Sequence, residues 1–279
     1  MKNIIAAFDG LKYAVSTQEY AINIAKQTNT HLVGVFMDDP TYNSFKINEV
    51  VAEKNFSLDK IKKLEAVDKA KRYESASFFE KACEHAKLEF SLHHDHKIAL
   101  QELKQESIYA DLILIGANET LTHYEEKPPT RFIRDLLSDT QCPILIVPHK
   151  FKAIDKIILL YDGEPSSVYA IKMFSYLLPQ LKHLGTEVIS VKNLDDTMHL
   201  PNNKLMKEFM KRHYPKAKFI IMKGWAEEEI IAYLKLQEEN TLIVLGAYRR
   251  GAVSRWFRES MADILMRNLK LPLFIAHNK

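Results

Sequence analysis

Two Asp-Gly pairs and two isolated glycines, each closing an apolar run, are the residues whose types and spacing suit chemistry on a small ligand. Asp9-Gly10 follows Asn3-Ile4-Ile5-Ala6-Ala7-Phe8, and Asp162-Gly163 follows Lys156-Ile157-Ile158-Leu159-Leu160-Tyr161. Gly116 ends Leu112-Ile113-Leu114-Ile115, and Gly246 ends Leu242-Ile243-Val244-Leu245. An Asp at such a point can contact a ligand or cap its own turn while the glycine takes an unusual dihedral. For Asp9 the turn is the favoured reading; for Asp162 turn and ligand contact stand level. A glycine at a strand end lets backbone N–H groups approach a phosphate. Beyond Gly246 the sequence adds Arg249, Arg250 and Gly251, which suit an anion. With Arg255, Arg258 and Arg267 these arginines read either as a solvated helix face paired with Glu259 and Asp263, or as a site for an anion or acidic partner.

Other chemistry finds less support. His93-His94-Asp95-His96 offers zinc-ligand types, but neighbours on a strand point to opposite faces, so at most His94 and His96 share a side. No spaced Cys or His pair completes a metal set, and a solvated strand end is the favoured reading. Cys83 and Cys142 cannot build a disulfide framework and read as small buried apolar residues. Neither a G-x-S-x-G elbow nor a G-x4-G-K-(S/T) loop occurs. Trp256 and Phe257 read as packing residues. No catalytic residues are expected, and no metal.

The elements that would position these residues repeat. The two Asp-Gly runs match each other, the two Gly-terminated runs match, and Cys142-Pro143-Ile144-Leu145-Ile146-Val147 matches Leu271-Pro272-Leu273-Phe274-Ile275-Ala276. Three matched segments in one order indicate a duplication. Continuous apolar runs suit strands covered on both faces. Further strands are expected at 31–37 and 187–191, then at 89–93 and 218–222. Between them, Ala170, Phe174, Leu177, Leu178 and Leu181 form a helical stripe, echoed by Ala14, Ala21, Ile24 and Ala25. The alternation predicts α/β architecture: two tandem, doubly wound, five-stranded parallel-sheet domains of Rossmann type, at 1–150 and 151–279. The first carries a Lys/Glu-rich insertion at about 40–88, expected to form an amphipathic helix through Ile61, Leu64, Val67 and Ala70.

Composition sets the outer bounds. The 279 residues are 47% hydrophobic and 27% charged, as in soluble globular proteins, and suit two domains. With 39 basic against 36 acidic side chains there is no global field for nucleic acid; such a role would need a local patch. The opening apolar run stops at Asp9, too early for a signal peptide, and no stretch approaches the roughly 18 apolar residues of a spanning helix. A cytoplasmic location without membrane contact is expected. Only 8 glycines occur, few for a protein that cradles phosphates.

With Asp-Gly after the first strand, glycine after the fourth and a Pro-led closing strand, each half resembles the universal stress protein family. The segment from Gly246 through Trp256 to Ser260 carries this most specifically. The resemblance implies stress response, pairing of the two copies as an intramolecular pseudo-dimer, and an acidic residue near adenosine at the positions of Asp9 and Asp162. It also implies an ATP loop of the form G-x2-G-x9-G-(S/T). Aligned to it, Gly116 and Thr130 survive in the first half and Gly246 and Ser260 in the second, while Glu119 and Pro129, and Arg249 and Glu259, stand in place of glycines. A carboxylate about 4 Å from a phosphate charge costs about 1 kcal/mol in water and about 4 kcal/mol near a protein surface. Pro129 also removes a backbone donor.

The expectation is therefore a non-enzymatic stress-response protein with degenerate nucleotide loops, binding a small ligand or a protein partner. The best-placed cofactor or anion site is Asp162, Gly246, Arg249, Arg250, Gly251 and Ser260, with Asp9, Gly116 and Thr130 as its degraded counterpart. Two rivals stay open: an ATP-dependent switch in the second half, and a purely structural role without ligand. Nucleic acid is not expected as a partner, and assembly into a homodimer stays open.

Overall fold

A computed structural model describes residues 1–39, 42–53, 57–95, 98–195, 198–238, 240–246 and 260–278. The chain divides into two compact units between Gln141 and Cys142.

The unit Lys2–Gln141 holds β1 (Asn3–Asp9), α1 (Val15–Thr28), β2 (His31–Met37), α2 (Ile47–Ala52), α3 (Leu58–Ala86), β3 (Phe90–Asp95), α4 (Ala99–Glu106), β4 (Leu112–Gly116) and α5 (Arg131–Asp139). Its strands run parallel in the order β3-β2-β1-β4. Ile4 to Phe8 and Leu112 to Ile115 are fully buried, as the unbroken apolar runs require. Ser57 starts α3 by accepting a hydrogen bond from the Lys60 N–H (3.2 Å), and Lys87 ends it in the left-handed conformation.

The insertion does form a helix, α3, but it buries a different stripe from the one expected. Val67 is 51% exposed and Ala70 is also exposed, while Asp68, Ser75, Ala76, Phe79 and Cys83 are buried. The reason lies in β2. Gly34 leaves a hole that Phe79 fills so closely that a Cβ there would sit 2.7 Å from the phenyl ring. Phe79 then joins an aromatic cluster with Phe8 (5.3 Å between centroids) and Phe36 (6.0 Å). The polar members of the stripe are paired: the Asp68 carboxylate accepts from the Ser44 N–H and hydroxyl, and Ser75 donates to the Gly10 carbonyl (2.9 Å).

The unit Cys142–Lys279 holds β5 (Ile144–Val147), β6 (Lys156–Leu160), α6 (Pro165–Leu177), a 3-10 turn (Pro179–His183), β7 (Gly185–Lys192), α7 (Asn203–His213), β8 (Lys218–Lys223), α8 (Ala226–Leu234), β9 (Thr241–Gly246), α9 (Met261–Asn268) and β10 (Leu273–Ala276). Its strand order is β5-β10-β9-β6-β7-β8, parallel except for β5, which runs antiparallel to β10. Among the described residues each sequence copy thus supplies five strands, with β5, the last of the first copy, grouped in the second unit. The α6 stripe packs as expected: Ala170, Phe174, Leu177, Leu178 and Leu181 are all buried. In both units the first strand lies between the second and the fourth, so successive crossovers leave in opposite directions and open a crevice at the carboxyl edge.

Among the described residues no helix is long and apolar enough to cross a membrane.

Candidate functional site

In the second unit the crevice is an open cleft of about 170 Å³. Leu160, Ile189, Val191, Ala226, Ile230, Leu245 and Met261 make its walls apolar, and Tyr161, Asp162, Ser167 and Gly246 supply the polar edge. Each wall has a plain origin. Strands β6, β7 and β9 end there, and α8 and α9 begin there.

Asp162 is exposed at this edge, yet one of its oxygens is already engaged. Its Oδ1 accepts from the Glu164 N–H (2.9 Å) and the Ser167 hydroxyl (2.7 Å), which closes the turn into α6. Gly163 occupies a left-handed backbone position (φ 89°) and would clash with Pro201 if it carried a Cβ. Tyr161 donates to the Pro201 carbonyl (2.8 Å), and burial raises its phenol above the ordinary range. The turn reading therefore accounts for one Asp162 oxygen, Oδ1.

Gly246 is explained by packing. A Cβ at this position would lie 2.3 Å from the Ser166 carbonyl carbon, because the start of α6 presses on the end of β9. Ser260 caps α9, its hydroxyl accepting from the Asp263 N–H (3.2 Å), and the next residue, Met261, reaches the cleft. Arg249, Arg250 and Gly251 lie outside the described residues, as do Arg255, Trp256, Phe257, Arg258 and Glu259.

The corresponding crevice of the first unit is closed by the chain itself. Asp9 is 1% exposed and Glu119 8%. Burial pushes the Glu119 carboxyl up to about 8, with Asp9 adding to the rise and Lys12 opposing it. Asp9 is also raised by burial, and the Leu11 N–H, Lys12 and the Tyr42 hydroxyl offset part of that. Glu119 does not project toward a ligand. Its Oε1 lies against Gly116, 3.2 Å from where a Cβ would stand, next to the Thr17 hydroxyl. Thr130 is fully buried and consumed locally: its hydroxyl donates to the Glu119 carbonyl and accepts from the Ile133 N–H (3.2 Å) at the start of α5. The insertion completes the closure, with Arg72 paired to Asp38 and donating to the Tyr42 carbonyl (2.7 Å), and Tyr42 itself buried.

The two halves share one motif that sequence reasoning missed. A hydroxyl residue in the first turn of the helix after the first strand lies beside the fourth-strand glycine: Ser167 through its backbone nitrogen in one unit, Thr17 through its hydroxyl in the other. Ser167 bonds Asp162, whereas the Thr17 hydroxyl and Asp9 Oδ2, both buried, have no hydrogen-bond partner among the described residues. The Asp-to-hydroxyl spacing differs, five residues against eight, which hides the match. Tyr42, Arg72 and Pro201 were equally invisible, since each comes from the connection between the second and third strands, where the two copies do not match in sequence.

The histidine run is partitioned. His93 Nδ1 meets Glu106 Oε1 (2.7 Å), His94 stacks on Phe36 (5.3 Å), and His96 lies outside the described residues. Cys83 is fully buried and its thiol is pushed up to about 12 by burial; Cys142 is also buried.

No protein-family model and no curated protein matches the chain. Solved structures do. A universal stress protein from Archaeoglobus fulgidus DSM 4304 superimposes with a TM-score of 0.73 at 15% identity, covering 99% of this chain and 98% of that one. A putative universal stress protein from Pseudomonas aeruginosa UCBPP-PA14 gives 0.61 at 16%, covering 99% and 93%. A functionally unknown protein from Pseudomonas aeruginosa PAO1 gives 0.60 at 14%, covering 99% and 92%. Identity at this level speaks for fold alone, and the fold is that of the universal stress proteins in its tandem, two-domain form.

Proposed function

We propose that the protein is a non-catalytic stress-response module that senses a small ligand through the cleft of its second unit, while the first unit serves as a closed structural partner. The observation that carries this reading is the contrast between an open apolar crevice edged by Asp162 and a homologous crevice filled by Glu119, Tyr42 and Thr130. Apolar walls with a carboxylate at the edge suit an apolar-faced heterocycle whose hydroxyl-bearing substituent reaches Asp162. About 170 Å³ suits a base or nucleoside better than a whole nucleotide. The only titratable side chains lining the cleft among the described residues are Tyr161 and Asp162, and each is held in a turn, which supports binding over catalysis.

A second reading, an ATP-dependent switch, draws on Ser260 at the start of α9 and on Arg249, Arg250 and Gly251 after Gly246 in the sequence. Both readings are tested by thermal unfolding with adenosine or with ATP and Mg²⁺. Ligand at 100 times its dissociation constant stabilises by about 2.7 kcal/mol. A shift with adenosine that Ile230→Trp abolishes supports the first reading; a shift confined to ATP supports the second. No shift with either, together with no ligand carried through native purification, leaves the purely structural role.

A further inference from the structure

The near-neutral total charge conceals a separation that the fold makes visible. From Cys142 onward the sequence has 21 Lys and Arg against 14 Asp and Glu. Eight of those cations, Lys172, Lys182, Lys204, Lys207, Lys211, Arg212, Lys216 and Lys218, fall within residues 165–186 and 203–218, which hold a single acid, Glu208. The rest of the unit has 13 of each sign, so its entire positive excess lies in α6, the 3-10 turn, α7 and the lead into β8.

These segments form one surface. The Ser175 hydroxyl of α6 meets His213 of α7 (2.5 Å), and the His213 ring lies 5.4 Å from Tyr176 and 4.1 Å from Phe209. Lys172 and Lys182 are near enough to His213 to hold its imidazole below the ordinary range, after burial. Lys204, Lys207 and Lys211 share one exposed stripe of α7, on the flank turned away from Phe209 and His213. Among the described residues none of Lys204, Lys207, Lys211, Lys216 and Lys218 pairs with a carboxylate, and Arg212 pairs only with Glu208. Tyr176 is 59% exposed beside the half-buried rings of Phe209 and His213, and Lys172 sits over Tyr169 (5.7 Å).

We infer that the α6/α7 layer of the second unit is a docking surface for single-stranded nucleic acid, its lysines tracking phosphates and Tyr176, with Phe209 and His213, stacking a base. An unpaired cationic face attracts any polyanion. The exposed ring of Tyr176, one helical turn after Lys172, is what favours an unpaired strand over an acidic protein or an anionic membrane, because stacking needs a free planar base. This surface answers the requirement for a local patch, which a linear reading misses because its residues come from two helices and two connections.

The test is fluorescence anisotropy of the full chain with labelled oligouridylate. Saturable binding is expected, weakening roughly 50-fold between about 50 and 200 mM salt for four phosphate contacts. Changing Lys204, Lys207, Lys211 and Lys216 together to Gln should weaken binding at least about 10-fold and flatten the salt dependence, while Lys62→Gln with Lys63→Gln on α3 leaves it unchanged. Tyr176→Ala should weaken binding about 10-fold and Tyr176→Phe should restore it. Circular dichroism of each variant confirms folding, and the wild-type salt slope stands without any variant. No saturable binding at low salt overturns the inference. So does equal binding to poly-glutamate or to phosphatidylserine vesicles that Tyr176→Ala leaves intact, an outcome that would make the surface a protein or membrane contact.

Discussion

The two Asp-Gly turns begin from nearly the same sequence and end in opposite environments. Asp162 is exposed at the edge of an open cleft, hydrogen-bonded to Ser167; Asp9 is buried beneath Tyr42 beside a second carboxyl, with one oxygen unpartnered. The difference does not arise in the strands, whose registers correspond. It arises in the connecting segments at their carboxyl ends: the insertion brings Arg72 and Tyr42 over β1, and Glu119, after β4, turns its carboxylate back against Gly116. One duplicated crevice has been filled from within while its twin stayed open. A crevice in this architecture can thus be closed without altering the sheet that frames it.

The largest expected effect sharpens that contrast through protonation. In the folded chain Glu119 titrates near 8, well above the 4.5 of an unhindered carboxyl, because burial and Asp9 disfavour its charge. The folded state therefore binds this proton more tightly than the unfolded state. Stability from this source is fully present below about pH 4.5 and falls by about 1.4 kcal/mol per pH unit as pH rises toward 8. Urea denaturation of wild type and Glu119→Gln across pH 5 to 9 should show the wild type losing about 2 kcal/mol relative to the variant between pH 6 and 8. Parallel curves would mean that Glu119 is not confined as described.

The glycines supply the next break. Gly246→Ala drives a methyl into the Ser166 backbone and should cost about 2 kcal/mol or more, whereas at Gly116 the nearest atom, Glu119 Oε1 at 3.2 Å, need yield only a few tenths of an ångström, so Gly116→Ala should cost less than about 1 kcal/mol. Equal losses in thermal melts would contradict the packing assigned to Gly246. Smaller again are the two caps. Thr130→Ala removes two buried hydrogen bonds and should cost about 2 kcal/mol at most, against about 1 kcal/mol for Ser260→Ala, which removes one partly exposed bond. The reverse order would argue that Ser260 holds more than its helix.

Much of this architecture was legible in the chain's own pattern. The strands announced themselves because both their faces are covered, and the runs at Ile4, Leu112, Ile157 and Leu242 admit no other arrangement. The α6 stripe was legible for the same reason. The insertion was not, because its buried face contains Asp68, Arg72 and Ser75, whose polarity hides them from any search for apolar periodicity. The visible stripe at Ile61, Leu64, Val67 and Ala70 faces solvent over its last two members. Of the cleft, Asp162 was legible from its place after an apolar run, but Ser260 stands outside the lining and the walls at Ile189, Val191 and Ile230 look like any buried apolar residues. Gly246 was legible as a necessary glycine and misleading as to why, since helix packing and phosphate approach demand the same absence of a side chain.

The contrast between an open and a filled crevice is tested most directly by how many ligands the chain holds and where. Isothermal titration of adenosine into the purified chain should give one site per chain, lost in Ile230→Trp and unchanged in Glu119→Gln. Two sites per chain, or a single site that survives Ile230→Trp and responds to Glu119→Gln, would place an open cleft in the first unit and contradict that contrast.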